Sequence, residues 1–167
     1  MRSKLDFIIK GGVVKRFHTI HTLHTQNVAE HSFGVAWLVW LLCNEHPSSA
    51  LLMAALSHDI AEHMTGDIPA PAKRRMDISN QFNAEETACT HAAGIILPTL
   101  NTADKRCLKM ADTMDLLLFC TRELALGNND MIAVYYRGMN YIKELAPFNK
   151  KEQELINLIG ERYEQCE

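Results

Sequence analysis

The sequence predicts an all-α fold, a bundle of about six to eight helices packed on a shared core. Apolar residues recur at helical spacing along most of its 167 residues, and capping signals bracket those stretches. No period-two run of β-branched residues and no Asn-Gly or Asp-Gly hairpin signal interrupts them.

The start, MRSKLDFIIKGG, is amphipathic, without the continuous apolar core or small-residue cleavage site of a secretory leader. Asn27 followed by Glu30 forms a capping box opening a helix to about Asn44, with Val35, Leu38, Val39, Leu42 and Cys43 at helical spacing. Pro47, Ser48 and Ser49 start a helix that includes AALSHDIAEHM and ends at Thr65-Gly66-Asp67. A loop with Pro69 and Pro71 and a basic turn, Lys73-Arg74-Arg75, come next. Further helices are expected over about Ser79–Leu97, closed by Pro98, and Thr102–Leu126, closed by Gly127. The last two cover about Asp130–Ala146 and Asn149–Tyr163, separated by Pro147. No linker or repeat divides the chain, so one domain over residues 1–167 is expected.

Composition narrows the function classes. At 47% hydrophobic and 22% charged the chain is ordinary for a folded protein. A net charge of −3 and a pI near 6.2 argue against a nucleic-acid polymer or an anionic membrane as partner. Five cysteines with no C-x-x-C pair read as reduced thiols, and the longest uncharged apolar run, Phe33 to Cys43, is too short to span a bilayer. A soluble cytosolic protein is the expectation.

Eight histidines stand out, and their placement matters more than their number. His58-Asp59 lies near the end of an apolar helix, where an imidazole and a carboxylate can lean toward one divalent ion of the zinc, manganese, cobalt or iron group. His31 lies one turn into another helix, and Asp112 lies among apolar neighbours in KMADTMDLLLF, where an unpaired charge would be costly. Each has a plain alternative: a core histidine bonded to a carbonyl, or half of a salt bridge. Together they suggest a shared metal site.

The order His31, His58-Asp59, Asp112 resembles the signature of HD-domain metal-dependent phosphohydrolases. The resemblance runs over about residues 13–145 through Arg16-Phe17, NVAEHS around His31, SHDIAE around His58, TGDIP around Asp67, PAK ending at Lys73, KMAD ending at Asp112 and ELALGNN from Glu123. These motifs look like the YfbR branch, which holds bacterial 5′-deoxynucleotidases and small phage deoxynucleoside triphosphatases of the DatZ type.

That resemblance implies His31, His58, Asp59 and Asp112 as ligands of one zinc, cobalt or manganese ion, with magnesium accompanying a triphosphate. It implies Glu62 as the proton-transfer residue and Arg16 and Lys73 as phosphate-gripping cations. Lys109, three residues before Asp112 on the same helix face, could reach a phosphate too. Phe17 matches an aromatic set against the nucleobase, and Thr19, with Ile20, a position that would set steric selectivity. Asp67 matches a residue near the sugar 3′-hydroxyl, although a turn residue after Gly66 is its plain reading. The expected substrate is a deoxynucleotide cleaved at its 5′-phosphoester. The compact chain inclines toward a dNTP triphosphohydrolase, for which the DatZ resemblance alone implies a dATP preference, and a 5′-deoxynucleotidase or a non-catalytic nucleotide-binding module are the alternatives. Relatives imply a homo-oligomer, and the phage members imply action in a host cytoplasm. His18, His21 and His24 form an H-x-x-H-x-x-H trio with no assigned role.

Overall fold

A computed structural model of the chain describes residues 1–166, and Glu167, the last residue of the expected domain, lies outside them. The described residues hold eight helices of six or more residues and a four-residue helix: α1 (Arg2–Gly12), α2 (Val28–Leu42), α3 (Ser49–Ser57), α4 (Glu62–Thr65), α5 (Ala70–Arg75), α6 (Ser79–Ala92), α7 (Thr102–Ala125), α8 (Ile132–Glu144) and α9 (Lys150–Glu164). Among these residues no strand is present beyond an isolated antiparallel bridge, Lys15 with Asn27. Among the described residues no helix is long and apolar enough to cross a membrane.

The central element is α7, 24 residues and about 36 Å long. Met110, Ala111, Met114, Leu117, Cys120 and Leu124 recur at intervals of one, three or four along it, and all are buried. Against that stripe pack Val35, Leu38, Val39 and Leu42 of α2, Leu51 and Ala55 of α3, Val134 and Ile142 of α8, and Ile156 and Ile159 of α9. The capping box at Asn27 is present in both directions, Glu30 N to Asn27 Oδ1 at 2.9 Å and Asn27 N to Glu30 Oε2 at 3.1 Å, and it fixes where α2 begins. His31 therefore enters the core one turn inside α2.

A second, smaller cluster of Phe7, Ile60 and Ala61 packs with Cys89, Ala93 and Ile95. It clamps α1 and α6 around residues 58–61, and Gly11 comes so close that an added Cβ would lie 2.4 Å from the Ile60 carbonyl oxygen.

Three expected boundaries are corrected. The AALSHDIAEHM stretch is no continuous helix: α3 stops at Ser57, a turn covers 58–61, and α4 starts at Glu62. The clamp on Ile60 and Ala61 favours this turn over a continuing helix. The helix expected to reach Leu97 ends at Ala92, because Gly94 adopts φ 75° and Ile95 N turns back to Thr90 O at 2.9 Å. The expected basic turn Lys73-Arg74-Arg75 is the last turn of a helix, α5, and Pro71, expected in a loop, lies in its first turn, where its missing N–H costs nothing.

Candidate metal and phosphate site

The turn at 58–61 and the starts of α2 and the mid-section of α7 meet at one point. His31 Nε2 lies 3.2 Å from His58 Nε2 and 3.2 Å from Asp112 Oδ1. His31, His58 and Asp112 offer ligand atoms within 4.8 Å of one another, a spacing that could hold a metal ion. Asp59 Oδ2 is at the edge of this group, 3.4 Å from His58 Nε2 and 3.6 Å from His31 Nε2, and it accepts a 2.6 Å bond from the Arg16 guanidinium.

The outer nitrogens explain why the inner ones face each other. His31 Nδ1 is 2.6 Å from Asp115 Oδ2, and His58 Nδ1 is 3.0 Å from the Ala55 carbonyl. When both rings are neutral and donate from Nδ1, they present Nε2 lone pairs to the same small space. Two lone pairs and a carboxylate oxygen repel one another unless a cation sits between them, so the donor set suits a divalent metal.

A proton is drawn to the same point as a metal ion would be. Burial alone would lower the His31 pKa, but hydrogen bonding to Asp112 and Asp115 outweighs it and holds the pKa above its ordinary value. Burial would raise Asp112, yet the His31 bond and the charges of His58 and Lys109 bring it well below the usual carboxylate range. Asp59 is likewise lowered against its burial, by His58 and Arg16. The pocket concentrates negative charge and favours a positive one at its centre.

Asp115 is a site residue that the sequence reading missed. It stands one turn after Asp112 on the same face of α7, accepts from Gln26 Nε2 at 3.1 Å and orients His31. Gly34 makes room for it: a Cβ there would lie 1.9 Å from Asp115 Oδ1. Like Asp112, Asp115 is a carboxylate among the apolar neighbours of KMADTMDLLLF.

Glu62 is 5% exposed, and its Oε2 has no hydrogen-bond partner. Burial first, then the charges of Asp59 and Asp67, push its pKa up to about 9. Burial and its acidic neighbours thus favour its protonated form, unlike that of a solvated helix-end glutamate. Arg16 is held above its ordinary pKa against burial by Asp59, Asp112, Glu62 and Asp67, so the guanidinium sits among the site carboxylates as a fixed charge.

The remaining expected residues are distributed unevenly. Lys109 Nζ lies 3.7 Å from Asp112 Oδ2, with its side chain 58% exposed. Lys73 is turned to α6, its Nζ 3.8 Å from Glu86 Oε1 and 4.0 Å from the Phe82 ring centroid. Phe17 adopts φ 57° and stacks on Phe119 at 4.6 Å between centroids, with the Arg16 guanidinium 5.8 Å from its ring. Asp67 has His18 Nδ1 at 3.5 Å, and Thr19 is exposed on the same loop. The histidine trio does not gather: His18 meets Asp67 and His24 meets Glu123, while the His21 carbonyl accepts from Asn128.

Comparison with known proteins follows the same lines. The family described as 5′-deoxynucleotidase YfbR-like matches residues 5–154. A 5′-deoxynucleotidase of Yersinia pseudotuberculosis is 27% identical, with 77% of each chain covered. One from Erwinia tasmaniensis is 28% identical over 75% of each. Among solved structures, a Pyrococcus horikoshii protein superimposes with a TM-score of 0.77 at 19% identity, covering all of both chains. The DatZ HD phosphohydrolase of cyanophage S-2L, bound to dA and one catalytic Zn2+ ion, superimposes with a TM-score of 0.68 at 21% identity over 99% of this chain and 96% of that one. These likenesses establish a shared helical fold.

Proposed function

The chain belongs to the YfbR-like 5′-deoxynucleotidase family, and from that premise we propose that it is an HD-type phosphohydrolase that cleaves the 5′-phosphoester of deoxyribonucleotides, with deoxynucleoside 5′-monophosphates as the favoured substrate. The observation that carries this reading is the convergence of His31, His58 and Asp112 around one point, with Asp59 paired to Arg16 beside it.

In this reading His31, His58, Asp59 and Asp112 hold one zinc, cobalt or manganese ion, and the whole span 1–167 acts as one HD domain. The ion would supply Lewis-acid polarisation and an acidified water. Arg16 shifts part of its pairing from Asp59 to the phosphate oxygens, where a planar guanidinium grips two of them. Water adds to phosphorus and the P–O5′ bond breaks; the buried protonated Glu62 gives its proton to the departing 5′-oxygen and regains one from the proton that the added water releases. Asp67 accepts from the 3′-hydroxyl, while Phe17 packs against the nucleoside and Thr19 lines the same loop.

The number of phosphates follows from the available cations. Arg16 is at the centre and Lys109 beside Asp112, but Lys73 is engaged by Glu86 and Phe82. That supply suits one phosphate. The triphosphate reading, with magnesium on the tail and a preference for dATP, requires Lys73 to leave Glu86, and the exposed Lys109 favours it. Metal-loaded protein incubated with the four dNMPs and the four dNTPs separates them. Inorganic phosphate from dNMPs supports the favoured reading, tripolyphosphate from dNTPs replaces it with the second, and no product from any nucleotide contradicts both.

A homo-oligomer is part of the same proposal. Phe33 and Trp37 on the outward side of α2 are 64% and 51% exposed, and Met53 and Leu56 of α3 are half exposed. Such an apolar face suits a second copy. Sedimentation is expected to give a mass above 18.9 kDa at micromolar concentration; a monomer mass there contradicts it.

A further inference from the structure

The ELALGNN stretch at the end of α7 makes no hydrogen bond or ion pair to His31, His58, Asp59 or Asp112, yet it contains the most completely buried carboxylate among the described residues. Glu123 is 0% exposed. Its Oε2 accepts from Leu23 N at 2.7 Å and from Asn128 Nδ2 at 2.8 Å; its Oε1 accepts from His24 N at 2.9 Å and faces His24 Nδ1 at 3.2 Å. Asn128 Nδ2 also donates to His21 O at 3.0 Å. A buried carboxylate is tolerable only when hydrogen-bonded in this way. Three of these donors belong to residues about a hundred positions earlier in the chain.

Those donors sit on the segment that carries Arg16 and Phe17. Its ends are tied at the Lys15–Asn27 bridge, by Arg16 N to Gln26 O and Val28 N to Val14 O, both at 2.9 Å. Between the ties residues 16–26 form no helix or strand, and Ile20 N to Phe17 O at 3.0 Å is an internal turn. Phe17 is held at φ 57°, a left-handed conformation that a bulky residue adopts only when its surroundings impose it. Phe119, one turn before Glu123 on α7, supplies one of those surroundings through the stacked ring. Glu123 supplies the other, by gripping the segment at 23–24.

We propose that Glu123 is the positioning residue of the substrate loop: it fixes residues 16–26 against α7, and so sets where Arg16 and Phe17 stand relative to the nucleotide. This rests on the reading that Arg16 and Phe17 contact substrate. Glu123 itself touches neither substrate nor metal. Its partners also give the unassigned His24 and the Asn128 of the same motif a shared purpose.

The test pairs residue-resolved amide exchange with steady-state kinetics and zinc affinity on Glu123→Ala and Glu123→Gln. In Glu123→Ala the amides of Arg16, Ile20, Leu23 and His24 lose protection together. KM rises on the order of tenfold to a hundredfold, as misplacement by ~1 Å would cause. Saturated kcat falls less than KM rises, and zinc affinity stays that of wild type. Glu123→Gln, which keeps one carbonyl oxygen for the loop amides, lies between wild type and Glu123→Ala. Should Glu123→Ala not fold, Asn128→Ala removes two anchoring bonds from outside the loop and shifts the same amides and KM in the same direction. Retained protection at Arg16 and Ile20, or lost protection with an unchanged KM, overturns the proposal. If wild type hydrolyses no deoxynucleotide, the proposed function fails, and exchange at Arg16 and Ile20 alone decides this one.

Discussion

Replacing Glu62 by Gln is expected to lower kcat by about 10²–10⁴-fold, the range that a positioned general acid contributes, with KM and metal uptake little changed. The amide keeps the shape of the carboxyl and cannot release a proton to the 5′-oxygen. The same substitution has a signature in stability that needs no substrate. In the folded chain Glu62 has its pKa raised from 4.5 to about 9 by burial and by Asp59 and Asp67. Between those pH values the folded state keeps a proton that the unfolded chain has released, so stability falls as pH rises through the window and is lowest above the folded pKa. Glu62→Gln stays neutral and loses that slope. In chelator-treated protein the variant therefore gains Tm relative to wild type on going from about pH 5 to about pH 8, at roughly 2–4 °C per kcal/mol for a chain of this size. Wild-type turnover in the variant, or a Tm difference that is flat with pH, contradicts the role and the protonation state respectively.

A graded pair of substitutions on α7 separates ligand from support. Asp112→Asn is expected to abolish turnover to the assay background and to weaken metal uptake by more than Asp115→Asn does. Asp115→Asn removes only the carboxylate that orients His31, and about 10–100-fold in affinity or activity is typical of such a partner. Metal titration of both variants beside wild type measures this. Equal losses would mean that Asp112 acts as another supporting group; no loss in either would remove the metal centre from α7.

Much of this was legible in the sequence because the signals were local. The Asn27–Glu30 capping box set the start of α2, and with it the depth at which His31 enters the core. The apolar spacing of α7 gave its buried stripe, and Asp112 emerged as a charge that such a stripe would not otherwise hold. What escaped notice depends on distant partners. The turn at 58–61 follows from Phe7, Cys89, Ala93 and Ile95 closing on Ile60 and Ala61, and no residue within AALSHDIAEHM announces it. Lys73 faces Glu86 and Phe82 because α5 and α6 lie side by side, a placement hidden in a motif that shows only a lysine. Arg16 finds Asp59 across 43 positions. Glu123 and His24 meet across 99, so one member of a histidine trio without an assigned role lies on a carboxylate anchor.

The central claim is a single divalent metal centre built on His31, His58 and Asp112 that drives phosphoester hydrolysis. Its most direct test adds Co2+ stepwise to chelator-stripped wild-type protein, with the visible absorption of the ion and dNMP turnover followed in the same cuvette. One bound ion per chain, with turnover rising in step and stopping at that equivalent, is the predicted result. Full turnover in the stripped protein before any ion is added would contradict it, as would binding that leaves the protein inactive toward every deoxynucleotide.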